Sequence, residues 1–231
     1  MTAAKTVAIF LFSAIEWIDM SGTDTGNEDR HAHWKNVWTT RDADKVSWFQ
    51  ADPALSMKLI SQAGRRRDSA IIDVGGGRSP LAGLLVEQGY SNVAVLDIAE
   101  AALAQAHQDL GGLGDDVTWI AADVLDWQPV PGLFDVWHDR ALCHFFTTPE
   151  DQAAYARTLG TALAPDGIAI IATFALDGPE RCSGLNVARH DGASLSAMLG
   201  TGFVLEQELA DTHLTPSGAE QRFCWCVFRR L

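Results

Sequence analysis

Ile71-Ile72-Asp73-Val74-Gly75-Gly76-Gly77-Arg78-Ser79 decides how this chain is read. A short apolar run ends in an acid, breaks into three glycines and gives way to a helical pattern. That is the form of a strand, a tight turn and the helix that follows. Glycines carry no Cβ, so the backbone can turn sharply and approach a ligand closely. Twenty residues beyond Gly77, a second apolar run, Val93-Ala94-Val95-Leu96-Asp97, also ends in an acid. A carboxylate at that point accepts hydrogen bonds from both hydroxyls of a ribose. Turn, spacing and acid together predict a nucleoside-bearing ligand.

The pattern recurs downstream. Val117-Thr118-Trp119-Ile120-Ala121-Ala122-Asp123-Val124-Leu125 reads as a strand ending in an acid that suits an exocyclic adenine amine. Phe134 to His138 forms a fourth strand, running into Asp139-Arg140. Strands are predicted over 69–74, 92–97, 117–121, 133–138, 168–174, 203–210 and 221–229, with helices over 79–88, 99–109, 150–163 and 192–199. Their alternation predicts an α/β fold, a doubly wound and mostly parallel seven-stranded sheet with right-handed crossovers. The link Thr212–Glu220 is too short for a crossover helix, so the last strand pair is expected to be antiparallel. Upstream, a helix-like segment near 31–37 and an amphipathic helix over 53–63, opened by Pro53 and closed by Gly64, predict a helical N-terminal cap. The expected division is an extension over 1–30, a cap over 31–66 and a main domain over 67–231.

Two cofactors compete for the glycine turn. A dinucleotide turn reads G-x-G-x-x-G and seats a pyrophosphate on the helix N-terminus. Here the last glycine position holds Pro80, and Asp73 opens the turn. An acid there repels a pyrophosphate and suits an ammonium-bearing ligand such as S-adenosylmethionine (AdoMet). Asp73 to Gly77, Asp97-Ile98, Ala122-Asp123-Val124 and Phe134 to Asp139 together resemble the ordered motifs of class I AdoMet-dependent methyltransferases. The resemblance covers residues 45–230. It implies that Gly75 and Gly77 line the methionine part, that Asp97 holds the ribose, with Ile98 beside it, and that Asp123 and Val124 frame the adenine. The family usually carries G-x-G-x-G, and this chain departs from it at Arg78-Ser79. The segment Trp34–Ile60 is similar to the cap of small bacterial members and to the lead-in of some lysine methyltransferases.

Composition narrows the partners. The 231-residue chain has 47% apolar residues and a net charge of −13, which repels phosphate backbones. Neither nucleic acid nor membrane is expected as a partner, and Arg65-Arg66-Arg67 reads as a solvated helix end. Cys143 and Cys182 stand alone, while Cys224 and Cys226 alternate on a terminal strand, so no metal site is predicted. Residues 6–15 are apolar but too short to span a bilayer. They read as an extension ahead of a start at Met20, with a polar, disordered run from Ser21 to Arg30. A reducing cytoplasm fits this cysteine usage.

In open α/β sheets, ligands lie beyond the carboxyl ends of the strands. The loop after the fourth strand, His138 to Phe146, supplies His144 as a general base and Asp139 beside the reaction centre. The competing reading has Asp139 pair with Arg140 while His144 caps a turn. His138 either ends its strand or touches the methionine part. The loop after the fifth strand offers Arg181 to clamp a substrate carboxylate, unless Asp177 or Glu180 holds it, and Cys182, which direct transfer does not need as a nucleophile. Of the aromatic residues Trp34, Trp38, Trp48 and Phe49, Trp48 is assigned to the wall of the site and the others to packing.

The expected activity is methyl transfer from AdoMet to a small thiol, amine or carboxylate by in-line displacement. A protein lysine methyltransferase is the main alternative. A nicotinamide-dependent oxidoreductase and an AdoMet-binding module without turnover complete the set.

Overall fold

A computed structural model describes residues 25–63 and 66–231. The apolar run at 6–15, Met20, the start of the polar run behind it, Gly64 and Arg65 lie outside the described residues. Seven strands form one sheet: β1 (Ala70–Val74), β2 (Asn92–Asp97), β3 (Val117–Ala121), β4 (Phe134–Arg140), β5 (Leu163–Phe174), β8 (Phe203–Leu214) and β9 (Glu220–Arg230). A separate two-stranded ribbon pairs β6 (Arg181–Cys182) with β7 (Leu185–Asn186). The large sheet runs in the order β3-β2-β1-β4-β5-β9-β8. β1 to β5 pair in parallel, and β9 is antiparallel to both its neighbours. The doubly wound sheet and its antiparallel last pair are as the alternation of strands and helices requires.

The order reverses between β1 and β4, which places the carboxyl ends of β1, β2 and β4 around one crevice. Helices α3 (Leu81–Glu87), α4 (Glu100–Leu110), α5 (Pro149–Ala162) and α6 (Gly192–Leu199) surround the sheet. α5 begins as its sequence demands: the Thr148 hydroxyl accepts from the Asp151 N–H at 3.2 Å and Pro149 occupies the first turn. α6 opens with a capping box between Asp191 and Ser194. Ile170, Ile171, Ala172 and Phe174 of β5 are all buried, the signature of a strand covered on both faces.

The N-terminal part differs from expectation. α1 spans Thr25–Thr40, so part of the polar run read as disordered is helical. This helix has no apolar stripe of the usual width, which is why periodicity finds only its later half. A short 3-10 turn (Ala43–Lys45) and α2 (Ala54–Gln62) complete the segment ahead of β1. The loop after β5, whose Gly, Pro and Ser content predicts an ordered, turn-rich loop and not a strand, contains a short strand pair. Ser183 and Gly184 both have positive φ, and they turn β6 into β7 as a two-residue hairpin. Arg66 pairs with Asp68, and Arg67 lies 4.3 Å over the Tyr90 ring, so these two arginines have local partners. Among the described residues, no helix is long and apolar enough to cross a membrane.

Candidate active site

Two adjoining cavities lie at the carboxyl end of the sheet, and Trp38, Trp48, Gly75 and Arg140 border both. The larger encloses about 720 Å³ and has Asp97, Ile98, Asp123 and Val124 on its floor. The smaller encloses about 530 Å³ and takes in Asp73, Gly75, Gly76, Ser56 and His138. All three strand-tip acids therefore face one composite groove.

The glycine turn is shaped for close approach. Gly75 has φ +70°, and a Cβ there would stand 2.8 Å from Leu142. Gly77 has φ +50°, and its Cβ would meet Trp38 at 2.7 Å. Any side chain at either position would be strained; Gly75 borders both cavities, whereas Gly77 packs against Trp38 and borders neither. Asp97 is 8% exposed, and its Oδ1 accepts from the Ala99 N–H at 2.8 Å. Burial raises its pKa to about 6, against hydrogen bonds from the Ala99 and Gly77 backbone. Asp123 Oδ1 accepts from the Leu125 N–H at 2.9 Å, while Oδ2 lies 3.2 Å from Arg30 Nε.

Register explains the second cavity. Asp73 of β1 stands opposite His138 of β4, so their side chains share a face. His138 Nδ1 lies 2.7 Å from Asp73 Oδ1, and its Nε2 lies 2.9 Å from the Ser56 hydroxyl. The carboxylate orients the imidazole, and α2 supplies its other partner. Arg140, two residues on, projects from the same face. Its Nη1 donates to the Trp48 carbonyl at 2.9 Å, and the guanidinium lies 4.9 Å over the Phe223 ring.

Three candidates from the sequence lie elsewhere. Asp139 points to the opposite face from His138 and Arg140, as strand alternation requires. It is fully buried beneath α5 and accepts from Leu142 N–H (3.0 Å), Cys143 N–H (3.1 Å) and the Tyr155 hydroxyl (2.7 Å). It borders neither cavity and makes no ion pair with Arg140. His144 is also fully buried, with its ring 4.6 Å from Phe145 and 4.7 Å from Phe174. Both ring nitrogens lack partners, and burial together with Arg140 and His190 lowers its pKa to about 3. A neutral, enclosed imidazole off the groove is poorly placed to take a proton from an acceptor. Arg181 is exposed, and its guanidinium donates to the Gly184 carbonyl within the β6–β7 hairpin. Asp177 and Glu180, its expected alternatives, pair instead with Arg222 and Arg189.

The sign of the His144 titration is testable. The imidazole is neutral in the fold but binds a proton near pH 6.5 when unfolded, so its contribution to stability is present above that pH and lost below it. His144→Phe is expected to lose less stability than the wild type between pH 7.5 and 4.5, read from urea midpoints. Equal losses would remove His144 from the acid response.

Several residues enter the site that local reading left to packing or, for Arg30, to a disordered N-terminal run. Arg30, Trp34 and Trp38 follow one another at intervals of four along α1 and all line the larger cavity. Trp34 packs edge-on against Trp48 (5.8 Å) and Phe145 (5.0 Å), and Trp38 against Trp48 (6.0 Å), forming an aromatic roof. The spacing of the two tryptophans was the available signal. Cys182 also lines this cavity, but burial pushes its thiol up to about 12, which removes it as a nucleophile at neutral pH.

Away from the groove, Cys224 and Cys226 face the same side of β9, with Glu208 of β8 opposite Cys226. These ligand atoms lie within 4.8 Å of one another, a proximity that spacing along the chain does not disclose. Hydrogen bonds account for it: Cys224 Sγ donates to Glu208 Oε1 at 3.4 Å, and the Gly192 N–H donates to the same oxygen at 3.0 Å.

The donor set fits AdoMet. It offers carboxylates toward ribose, adenine and ammonium, glycines where the chain must pass close, and no pyrophosphate cradle. Residues 71–167 match the family model described as a methyltransferase domain. No curated protein matches the chain. Among solved structures, one is described for the conversion of a disulfide bond into a thioacetal group during echinomycin biosynthesis. It is 20% identical, covers 87% of this chain and 93% of its own, and has a TM-score of 0.72. The 1,6-didemethyltoxoflavin-N1-methyltransferase of Burkholderia thailandensis, solved with S-adenosylhomocysteine and 1,6-didemethyltoxoflavin, is 21% identical over 89% of this chain and 86% of its own, with a TM-score of 0.62. A SAM-dependent methyltransferase from Anabaena variabilis is 13% identical over 89% and 95%, with a TM-score of 0.70. At these identities the structures speak for the fold alone, and the matched domain carries the assignment. Because that match runs through the glycine turn, Asp97, Asp123 and β4, residues 71–167 form a methyltransferase domain of the S-adenosylmethionine-dependent kind.

Proposed function

We propose that the chain methylates a small molecule held beneath the aromatic roof of the larger cavity. The observation that carries this reading is the aromatic roof: Trp34, Trp38 and Trp48 stand over a groove of about 720 Å³, part of it open to solvent, and apolar lining with a few convergent polar groups suits a compact organic ligand. The Burkholderia thailandensis structure, which binds a small heterocycle, supports it by analogy of fold. A lysine side chain presented by a protein would need an open channel past this roof. The four free and buried cysteines fit a cytoplasmic setting.

In this reading Asp97 accepts from the ribose hydroxyls and Asp123 from the adenine amine, with Ile98 and Val124 against the ring. Gly75 and Gly77 admit the methionine part, where Asp73, held by His138, faces its ammonium. Trp48 closes the wall between the cavities. When bound, AdoMet supplies an electrophilic methyl on its sulfonium, and the protein's work is to place a nucleophile behind that methyl and keep water out. His144, Asp139 and Arg181 have no part in this arrangement; the first two hold the loop after β4 in shape.

The test is a screen of thiols, amines, small carboxylates and lysine peptides, scored by S-adenosylhomocysteine formation. Turnover with a small molecule is expected. Product from lysine peptides alone would overturn the proposal.

A further inference from the structure

Arg140 carries a charge that Asp211 and Asp73 offset only at a distance, with no carboxylate in direct contact among the described residues. Burial lowers its pKa to about 10, so the guanidinium remains cationic at neutral pH. Its Nη2 is buried and has no hydrogen-bond partner, and no carboxylate among the described residues lies within 4.0 Å of it. An enclosed cation without a counter-ion is costly, and a pairing anion relieves that cost. The other cations on the two cavity walls are already engaged. Arg30 meets Asp123 and Asp151, and Arg78 meets Asp109 at 2.6 Å. In a chain of net charge −13, an anion has little other reason to enter this groove.

Two anions come into question: the carboxylate of the cofactor's methionine and a group on the acceptor. The surroundings of Arg140 favour the acceptor. It borders the larger cavity together with Cys182 of the loop after β5. Around it stand Trp34, Trp48 and Phe145, a wall for a flat, apolar body. Arg140 also borders the smaller cavity, but there Asp73 shares the wall, an acid suited to an ammonium and not to a carboxylate.

Resting on the methyltransferase reading, we propose that the acceptor is a flat, aromatic or similarly unsaturated small molecule bearing a carboxylate or related oxyanion, and that Arg140 grips this group while the tryptophans stack against its body. The planar fork of the guanidinium suits such a group in two-point contact.

Three probes of one shape test the charge: benzoate, benzamide and benzylamine, titrated by calorimetry into protein saturated with S-adenosylhomocysteine. Benzoate is expected to bind about tenfold or more tighter than benzamide, and benzylamine weakest, since hydrogen bonds to charged groups are worth roughly that factor. Arg140→Gln is expected to abolish the preference while changing S-adenosylhomocysteine affinity by less than about twofold. This comparison needs only the wild type, so a variant that fails to fold does not blunt it. Equal binding of benzoate and benzamide, or no benzoate binding at all, overturns the proposal. A tenfold loss of S-adenosylhomocysteine affinity in Arg140→Gln with the benzoate preference intact also overturns it, assigning Arg140 to the cofactor. A wild type that does not bind S-adenosylhomocysteine overturns the underlying reading along with it.

Discussion

Asp97→Ala is expected to weaken AdoMet binding roughly 10- to 100-fold, the worth of hydrogen bonds to a charged group. Asp97 ends β2 on the floor of the larger cavity, with one oxygen fixed by the Ala99 N–H. The other oxygen is the natural acceptor for ribose hydroxyls. Because burial raises its pKa to about 6, the carboxylate takes up a proton as the solution is acidified through that value. The protonated form accepts less well, so AdoMet affinity should fall as pH drops below about 6. Asp97→Asn should bind weakly at every pH and lose that dependence. The sign for stability is opposite. A carboxyl whose folded pKa exceeds its unfolded value of 3.8 stabilises the fold below about pH 4, and this contribution is lost as pH rises through 6. Calorimetric titration from pH 5 to 8 checks the binding effect, and unchanged affinity in Asp97→Ala would reject the ribose role.

Asp139→Ala is expected to destabilise the protein by about 3 kcal/mol or more, because it strands three buried donors together. The N–H groups of Leu142 and Cys143 and the hydroxyl of Tyr155 all end on this carboxylate. Tyr155 also accepts from Trp137 Nε1 at 3.1 Å, so the loss spreads into the contact between β4 and α5. For a chain of this size the melting temperature should fall by roughly 6–12 °C. Thermal unfolding followed by circular dichroism reads the effect. A variant with wild-type stability would return Asp139 to the list of residues acting on ligand.

The strand tips were legible because their signal is local. Asp73, Asp97 and Asp123 each close an apolar run, and a parallel sheet brings such ends to one edge. The facing of individual side chains was less so. Asp139 sits between two residues of the groove, and one step along a strand reverses a side chain, so residue type alone misplaced it. His144 lies within a 3-10 turn (Cys143–Phe145) whose geometry carries no periodic signature, and that turn folds the imidazole inward. Arg140 was legible as a cation, but its want of a partner is a property of packing. α1 illustrates the reverse case. Among its described residues, Val37 is buried and Arg30, Trp34 and Trp38 face the groove, too narrow an apolar stripe for hydrophobic patterning to detect.

Arg30 joins the roof of the groove to its floor through the carboxylate of Asp123, the same group proposed for the adenine. Any movement of α1 away from the sheet breaks that partly exposed ion pair. Screening by dissolved salt weakens such pairs within a few ångströms of solvent. Rising ionic strength is therefore expected to loosen the roof over the groove and, with it, the seat proposed for the adenine.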